Sequence, residues 1–348
     1  MFVRLVKANG LDLTQFQFDY DLTFAVFFMN ADRTIYGRYG TRSSVDQAEK
    51  HMSVSGLSQA MAAALEIHRQ YPTNRDSLKG KQSAASKYKT PDDFPSLKGK
   101  YNETLDYDGA VSRSCMHCHQ VRDAERQIYR DAGQPIPDKL LFPNPLPDVI
   151  GLKFDPEQIA TVVQVEKGSA SESAGVKVGD ELRSLNGQSI ISIADIQWVL
   201  HNADDAAILP AIVRRGDKEM SLNIELQDGW RRNTDISWRV TSWPLRRMGT
   251  GGILFEAATE QQRKAAKVGT KDLALHVKHV GQYGAHAAAK RAGFKKGDIV
   301  ISFDGKTKHM TTSQLLGYVA QNTKPGEKLS VTVMRGGRKL SLQLPMQK

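Results

Sequence analysis

The chain has 348 residues, 40% hydrophobic and 25% charged, an ordinary globular composition long enough for about two to four domains. Its longest unbroken apolar run, Phe24–Met29, is far short of the ~20 residues a membrane-spanning helix needs, so no integral membrane segment is expected. Residues 271–348 hold 14 Lys and Arg against 4 Asp and Glu and so carry the whole net charge of +10. Without aromatic-rich strands or paired metal-binding fingers, that excess reads as a solvated basic face and not as a nucleic-acid surface.

In chain order, Phe2–Val6 is predicted to be a short strand and Phe24–Met29 a buried strand bounded by Asn30-Ala31-Asp32. Thr34–Tyr39 follows as its hairpin partner. Leu57–His68, with apolar residues three and four apart, predicts a helix. Phe18–Thr23 and the following Phe24–Gly40 resemble the thioredoxin-like domain of bacterial thioredoxin/PDZ proteins, some of which are selenoproteins. The resemblance spans residues 1–71 and implies a partial α/β domain. The first strand and helix, which would carry a redox C-x-x-C or its selenocysteine form, are absent, and Leu22-Thr23 stands where a cis-Pro is usual. This segment is therefore assigned no redox activity, and an upstream selenocysteine codon read as a stop is the expected reason.

Residues 72–144 form a polar, proline-punctuated linker around Cys115-Met116-His117-Cys118-His119, which holds the only two cysteines. A C-x-x-C-H run reads as a c-type haem attachment site: each thiol can add to a vinyl group, and His119 follows as proximal iron ligand. The competing readings are a redox dithiol, which usually opens a helix after a strand, and a zinc site, which needs a second ligand pair. Gln120–Ala132 is predicted as a short amphipathic helix stopped by Gly133. Covalent haem implies export to the periplasm or another extracytoplasmic space. Met1–Gly10 has no signal-peptide apolar core, so the sequence is expected to begin short of its natural N-terminus.

The rest of the chain repeats itself. Ala174-Gly175-Val176-Lys177-Val178-Gly179-Asp180 recurs 118 residues later as Ala292-Gly293-Phe294-Lys295-Lys296-Gly297-Asp298, and Asn186-Gly187 recurs as Asp304-Gly305. Each copy predicts a strand, a small-residue turn, a second strand, a tight hairpin, a helix (Ile193–His201; Thr312–Val319) and two closing strands. In order and spacing this resembles the bacterial PDZ domain appended to trypsin-like periplasmic proteases, a small β-barrel with helices. The resemblance implies capture of peptide or protein C-termini by strand addition, with the carboxylate held in a glycine loop. Ile150, Gly151 and Leu152 match that loop in the copy at 145–228, and Gly251, Gly252 and Ile253 in the copy at 249–348. No G-x-S-G-G pattern accompanies them, so no protease is expected.

Between the copies, Gly229–Met248 holds Trp230, Trp238 and Trp243 with five arginines and reads as a connector bracing the two domains. The expected whole is a multidomain α+β, extracytoplasmic protein: a redox-linked binding protein with one haem c and a redox partner. The alternatives are a PDZ scaffold in envelope quality control without redox function, and an oxidoreductase whose active half lies elsewhere.

Overall fold

The computed structural model describes residues 1–5, 7–44, 46–101, 105–109 and 111–347; Val6 and residues 102–104 of the predicted linker lie outside these. The chain divides into two compact units, Met1–Glu125 with Phe142–Trp238, and Arg126–Leu141 with Arg239–Lys348.

In the first unit, Phe2–Leu5 form no strand, and Phe2, Val3 and Leu5 are exposed with no neighbouring strand to pair with. β1 (Val26–Met29) and β2 (Ile35–Tyr39) make the predicted hairpin, but burial is reversed from expectation. β1 is only half-buried and Phe24 is exposed, whereas every residue of β2 is buried. α1 (Val54–Arg69) starts where the Ser53 hydroxyl accepts the Gly56 N–H at 2.9 Å. The hairpin remains a two-stranded sheet of its own. The predicted linker is an ordered wrap whose Leu78, Lys81, Phe94 and Leu97 are buried. It leads through α2 (Val111–Ser114) into α3 (His119–Asp131), followed by α4 (Asp138–Leu141) in the second unit.

Also in the first unit, β3 (Leu152–Phe154) pairs with β4 (Val162–Val165), and α5 (Ala170–Ser173) leads to β5 (Glu181–Leu185) and β6 (Gln188–Ser189). α6 (Ile193–Asn202), β7 (Ala207–Arg215) and β8 (Lys218–Leu226) complete the copy, the larger sheet running β6-β5-β7-β8. Leu152, Val162, Leu182, Ile196, Val213 and Ile224 meet in its core.

After Arg126–Leu141 the second unit continues with α7 (Ser242–Thr250), a helix that starts inside the predicted connector and runs two residues past it. β9 (Ile253–Ala257), α8 (Glu260–Ala266), β10 (Leu275–Val280), α9 (Ala288–Arg291) and β11 (Ile299–Phe303) follow. α10 (Thr312–Asn322), β12 (Lys328–Arg335) and β13 (Arg338–Pro345) close it. The five strands form one antiparallel sheet, β13-β12-β11-β10-β9, with β9 at an edge. No helix among the described residues is long and apolar enough to cross a membrane.

The repeated motif has a physical cause. In each copy the Asp of G-D is buried and held bidentately by the arginine that ends the penultimate strand. Arg215 Nε and Nη2 lie 2.7 and 2.7 Å from the two Asp180 oxygens, and Arg335 Nε and Nη2 lie 2.6 and 2.7 Å from those of Asp298. The same guanidinium also donates to the glycine carbonyl of A-G, Gly175 in one copy and Gly293 in the other. The Lys177 and Lys295 N–H groups complete each carboxylate's shell. The hairpin turns take left-handed φ at both central residues, 49° and 73° at Asn186-Gly187 and 50° and 74° at Asp304-Gly305, which explains the residue choice.

Candidate functional site

The two glycine loops are built alike. Gly151, at φ 83°, ends a short 3₁₀ turn at Pro147–Ile150, and its carbonyl accepts the Glu166 N–H at 2.8 Å. Gly251 and Gly252, at φ 61° and 87°, end α7, and the Gly252 carbonyl accepts the Gly281 N–H at 3.0 Å. A Cβ on Gly151 would lie 2.1 Å from Ser169 Cβ, and one on Gly252 would lie 2.0 Å from the His286 carbonyl oxygen. Only glycine fits either place. Ile150, Leu152 and Ile253 point into the cores as anchors.

The loop N–H groups are engaged within the chain. Gly151 donates to the Asp148 carbonyl at 2.9 Å and caps its 3₁₀ turn, while Gly251, the C-cap of α7, and Gly252 just beyond it both donate to the Arg246 carbonyl, Gly252 at 3.0 Å. In the second unit β9 has a sheet neighbour on one side only, and α10 lies along its groove with Leu315, Leu316 and Val319 buried. α7 packs on α10, where Gly249 approaches Val319. In the first unit α6 is covered more completely, with every side chain from Ile193 to Leu200 buried. Gln197 donates to the Asn144 carbonyl at 3.0 Å, and the Asn144 N–H reaches His201 Nδ1 at 3.3 Å.

Another face of α6 holds the N-terminal layer. Lys81 Nζ and Asp195 Oδ2 form a fully buried ion pair at 2.7 Å, and Asp195 Oδ1 accepts the Arg38 N–H at 3.0 Å. The Arg38 guanidinium stacks 3.7 Å over Trp198, whose indole N–H donates to the Gly80 carbonyl at 2.8 Å. Burial pushes the Lys81 ammonium below its ordinary range, and Asp195 opposes the shift.

Cys115 closes α2, and Cys118 immediately precedes α3, whose first residue is His119. Both thiols are half-buried and unbonded to each other. The dithiol does stand before a helix, but a helix precedes it where a redox pair usually follows a strand. Burial, with Cys115 beside it, raises the Cys118 thiol above its ordinary value, opposite to an activated redox cysteine. Among the described residues no group of three or more His, Cys, Asp or Glu could hold a metal ion, so nothing there supports the zinc reading. The His119 ring stacks on His117 with centroids 5.6 Å apart, and its Nδ1 faces Asp123 Oδ2 at 3.7 Å, beyond hydrogen-bond distance. Gln120 fixes the turn, its side-chain oxygen accepting from the His117 N–H and the Tyr101 hydroxyl. A pocket of about 250 Å³ adjoins the motif at the buried Met116; its walls mix Pro91, Leu97 and Tyr101 with Lys7, Asn9, Thr90 and Asp92, and neither thiol nor His119 lines it. Two free thiols across one turn with an imidazole at the next residue are the donor set that covalent haem attachment requires.

PDZ-domain family models match residues 161–214 and 275–346. The chain carries two PDZ domains. It is 26% identical over 182 residues to the "Probable periplasmic serine endoprotease DegP-like" of Pseudomonas savastanoi pv. phaseolicola, covering 51% of this chain and 36% of that protein. It is 29% identical over 152 residues to the "Periplasmic serine endoprotease DegP" of Escherichia coli, covering 43% of this chain and 27% of that protein. The chain therefore spans only about a quarter to a third of the length of these curated relatives. A solved HtrA-type protease AlgW with decapeptide overlays 41% of this chain and 49% of that chain, at 17% identity and a TM-score of 0.26.

Relative to the first PDZ domain, the second inserts α8 between its first two strands, started by a Thr259–Gln262 capping box. The signal for it, Thr259-Glu260-Gln261-Gln262, is visible in the sequence. α7 was missed because Pro244 and Gly249 argue against a helix on propensity, and its burial comes from packing on α10.

Proposed function

We propose that this chain is a peptide-binding scaffold of envelope protein quality control, and that its second PDZ domain captures extended polypeptide ends. The observation that carries this is β9: an edge strand that starts at a glycine pair too tightly packed for any side chain. An added strand pairs along such an edge while its terminal carboxylate approaches the glycine turn. The basic surplus of residues 271–348 suits an anionic chain end. The extracytoplasmic setting is proposed from the relatives, whose names place them in the periplasm. Titration with labelled peptides bearing free C-terminal carboxylates tests this. Gly252→Val should weaken binding at least tenfold, and unchanged binding would remove β9 as the site.

A second reading is favoured by the Cys115–His119 geometry. Cys115 and Cys118 would hold a haem c through their thiols, and His119 would face the iron. A bound haem supplies one-electron transfer, to a redox partner or to an intact thioredoxin-like domain of which β1, β2 and α1 would be the remnant. Around it, Met116 with Leu97 would exclude water from one edge. Expression with c-type haem maturation machinery should give a covalent Soret band that Cys115→Ala and Cys118→Ala both reduce; no covalent band in the parent chain would end this reading.

A further inference from the structure

We infer that α7 is a built-in gate on the second PDZ groove, an inference that rests on peptide capture at β9. Strand addition there needs three things: the carbonyl at the start of the free edge, the glycine N–H at the turn, and the flank of α10. α7 engages all three. The Gly252 carbonyl faces β10 through Gly281, so strand alternation turns the Ile253 carbonyl to the free edge. The Thr250 hydroxyl sits there, 3.0 Å from the Ile253 oxygen and 2.8 Å from the Arg246 oxygen. The Gly252 N–H is bound to the Arg246 carbonyl, and Gly249 lies so close to α10 that a Cβ would fall 2.2 Å from Val319 Cγ2.

A peptide end arriving at β9 must therefore displace the α7 contacts made at that edge. Its first N–H takes the place of the Thr250 hydroxyl, and its carboxylate competes with the Arg246 carbonyl. α7 is suited to yield. It has nine residues and includes Gly249 near its end, too short to persist without its packing. Trp243 is 58% exposed on it. Capture is thus coupled to release of α7, and a partner that binds released α7 more tightly than docked α7 would raise affinity for the peptide.

The experiment uses the full chain and short fluorescein-labelled peptides ending in free Val, Leu or Phe carboxylates, read by anisotropy. Thr250→Val keeps the volume and removes the hydroxyl; Gly249→Ala wedges α7 away from Val319. Each should tighten peptide binding roughly five- to tenfold, the worth of one buried hydrogen bond. Hydrogen exchange of the parent chain should show α7 amides losing protection on peptide saturation, a readout that does not depend on how the variants fold. Equal affinity in parent and variants with α7 protection unchanged would overturn the gate while leaving capture standing. Failure of parent and variants alike to bind any of the peptides would overturn capture and the gate together.

Discussion

The two PDZ domains share a skeleton and differ in what covers the helix beside the groove. In the first, α6 is sealed by a second layer of the protein: Lys81, Arg38, Gly80 and Asn144 all bond to it or stack on it. In the second, α10 carries α7, tied to β9 by one hydroxyl and one cap, and its far end is held where Gln321 donates to the Ile136 carbonyl and to Asp138. The contrast is sharpest at one position. Asp195 and Gln314 both stand third in their helices, after Ser192 and Thr311. Gln314 reaches back to the Thr311 N–H at 3.0 Å and closes a local capping box, whereas Asp195 reaches Lys81, distant in sequence. The same slot serves the helix itself in one domain and the assembly of the unit in the other. This makes the first PDZ domain a structural platform and the second the one able to open.

The comparison is most severely strained by removing one member of the buried pair. Lys81→Met leaves Asp195 charged in a dry site and should cost about 3–5 kcal/mol, measured by urea unfolding. A loss below about 1 kcal/mol would mean the layer is only loosely fixed. The paired arginines test what the domains have in common. Arg215→Ala and Arg335→Ala should each lower the melting temperature by several degrees, and to a similar extent, because the two carboxylates are held in the same way. Unequal losses would show the skeletons to be less alike than their geometry. Burial alone would raise the Asp180 carboxyl, but the Arg215 guanidinium and the Lys177 N–H outweigh it and leave it below its ordinary value. Its stabilising contribution is therefore complete above the unfolded carboxylate range, about pH 4, and is lost as pH falls through the lower folded value. Arg215→Ala should flatten this acid-side slope in a pH series of melting curves. The smallest effect belongs to Gln314→Ala, which removes half a capping box and should cost about 1 kcal/mol.

What could be read from the sequence divides along the same line. The repeats, their hairpin turns and α6 and α10 were legible because each rests on local signals: glycine where φ is left-handed, Asx-Gly turns and apolar spacing. The glycines at 151, 251 and 252 do stand at the turns entering β3 and β9, but their N–H groups are engaged at the ends of the Pro147–Ile150 turn and α7, neither of which the local pattern signals. The layer on α6 was not legible at all. It depends on Lys81 meeting Asp195 and Arg38 meeting Trp198, pairings that no local pattern announces, and Lys81 in isolation resembles any surface lysine. Phe2–Leu5 failed as a strand for the related reason that propensity offers no partner.

The most direct measurement is hydrogen exchange of the full chain with and without saturating C-terminal peptide. Capture at a gated second domain predicts new protection along Ile253–Ala257 together with loss of protection across Ser242–Thr250, while Leu152–Phe154 stays unchanged. Protection appearing at Leu152–Phe154 instead, with β9 and α7 unaffected, would contradict it.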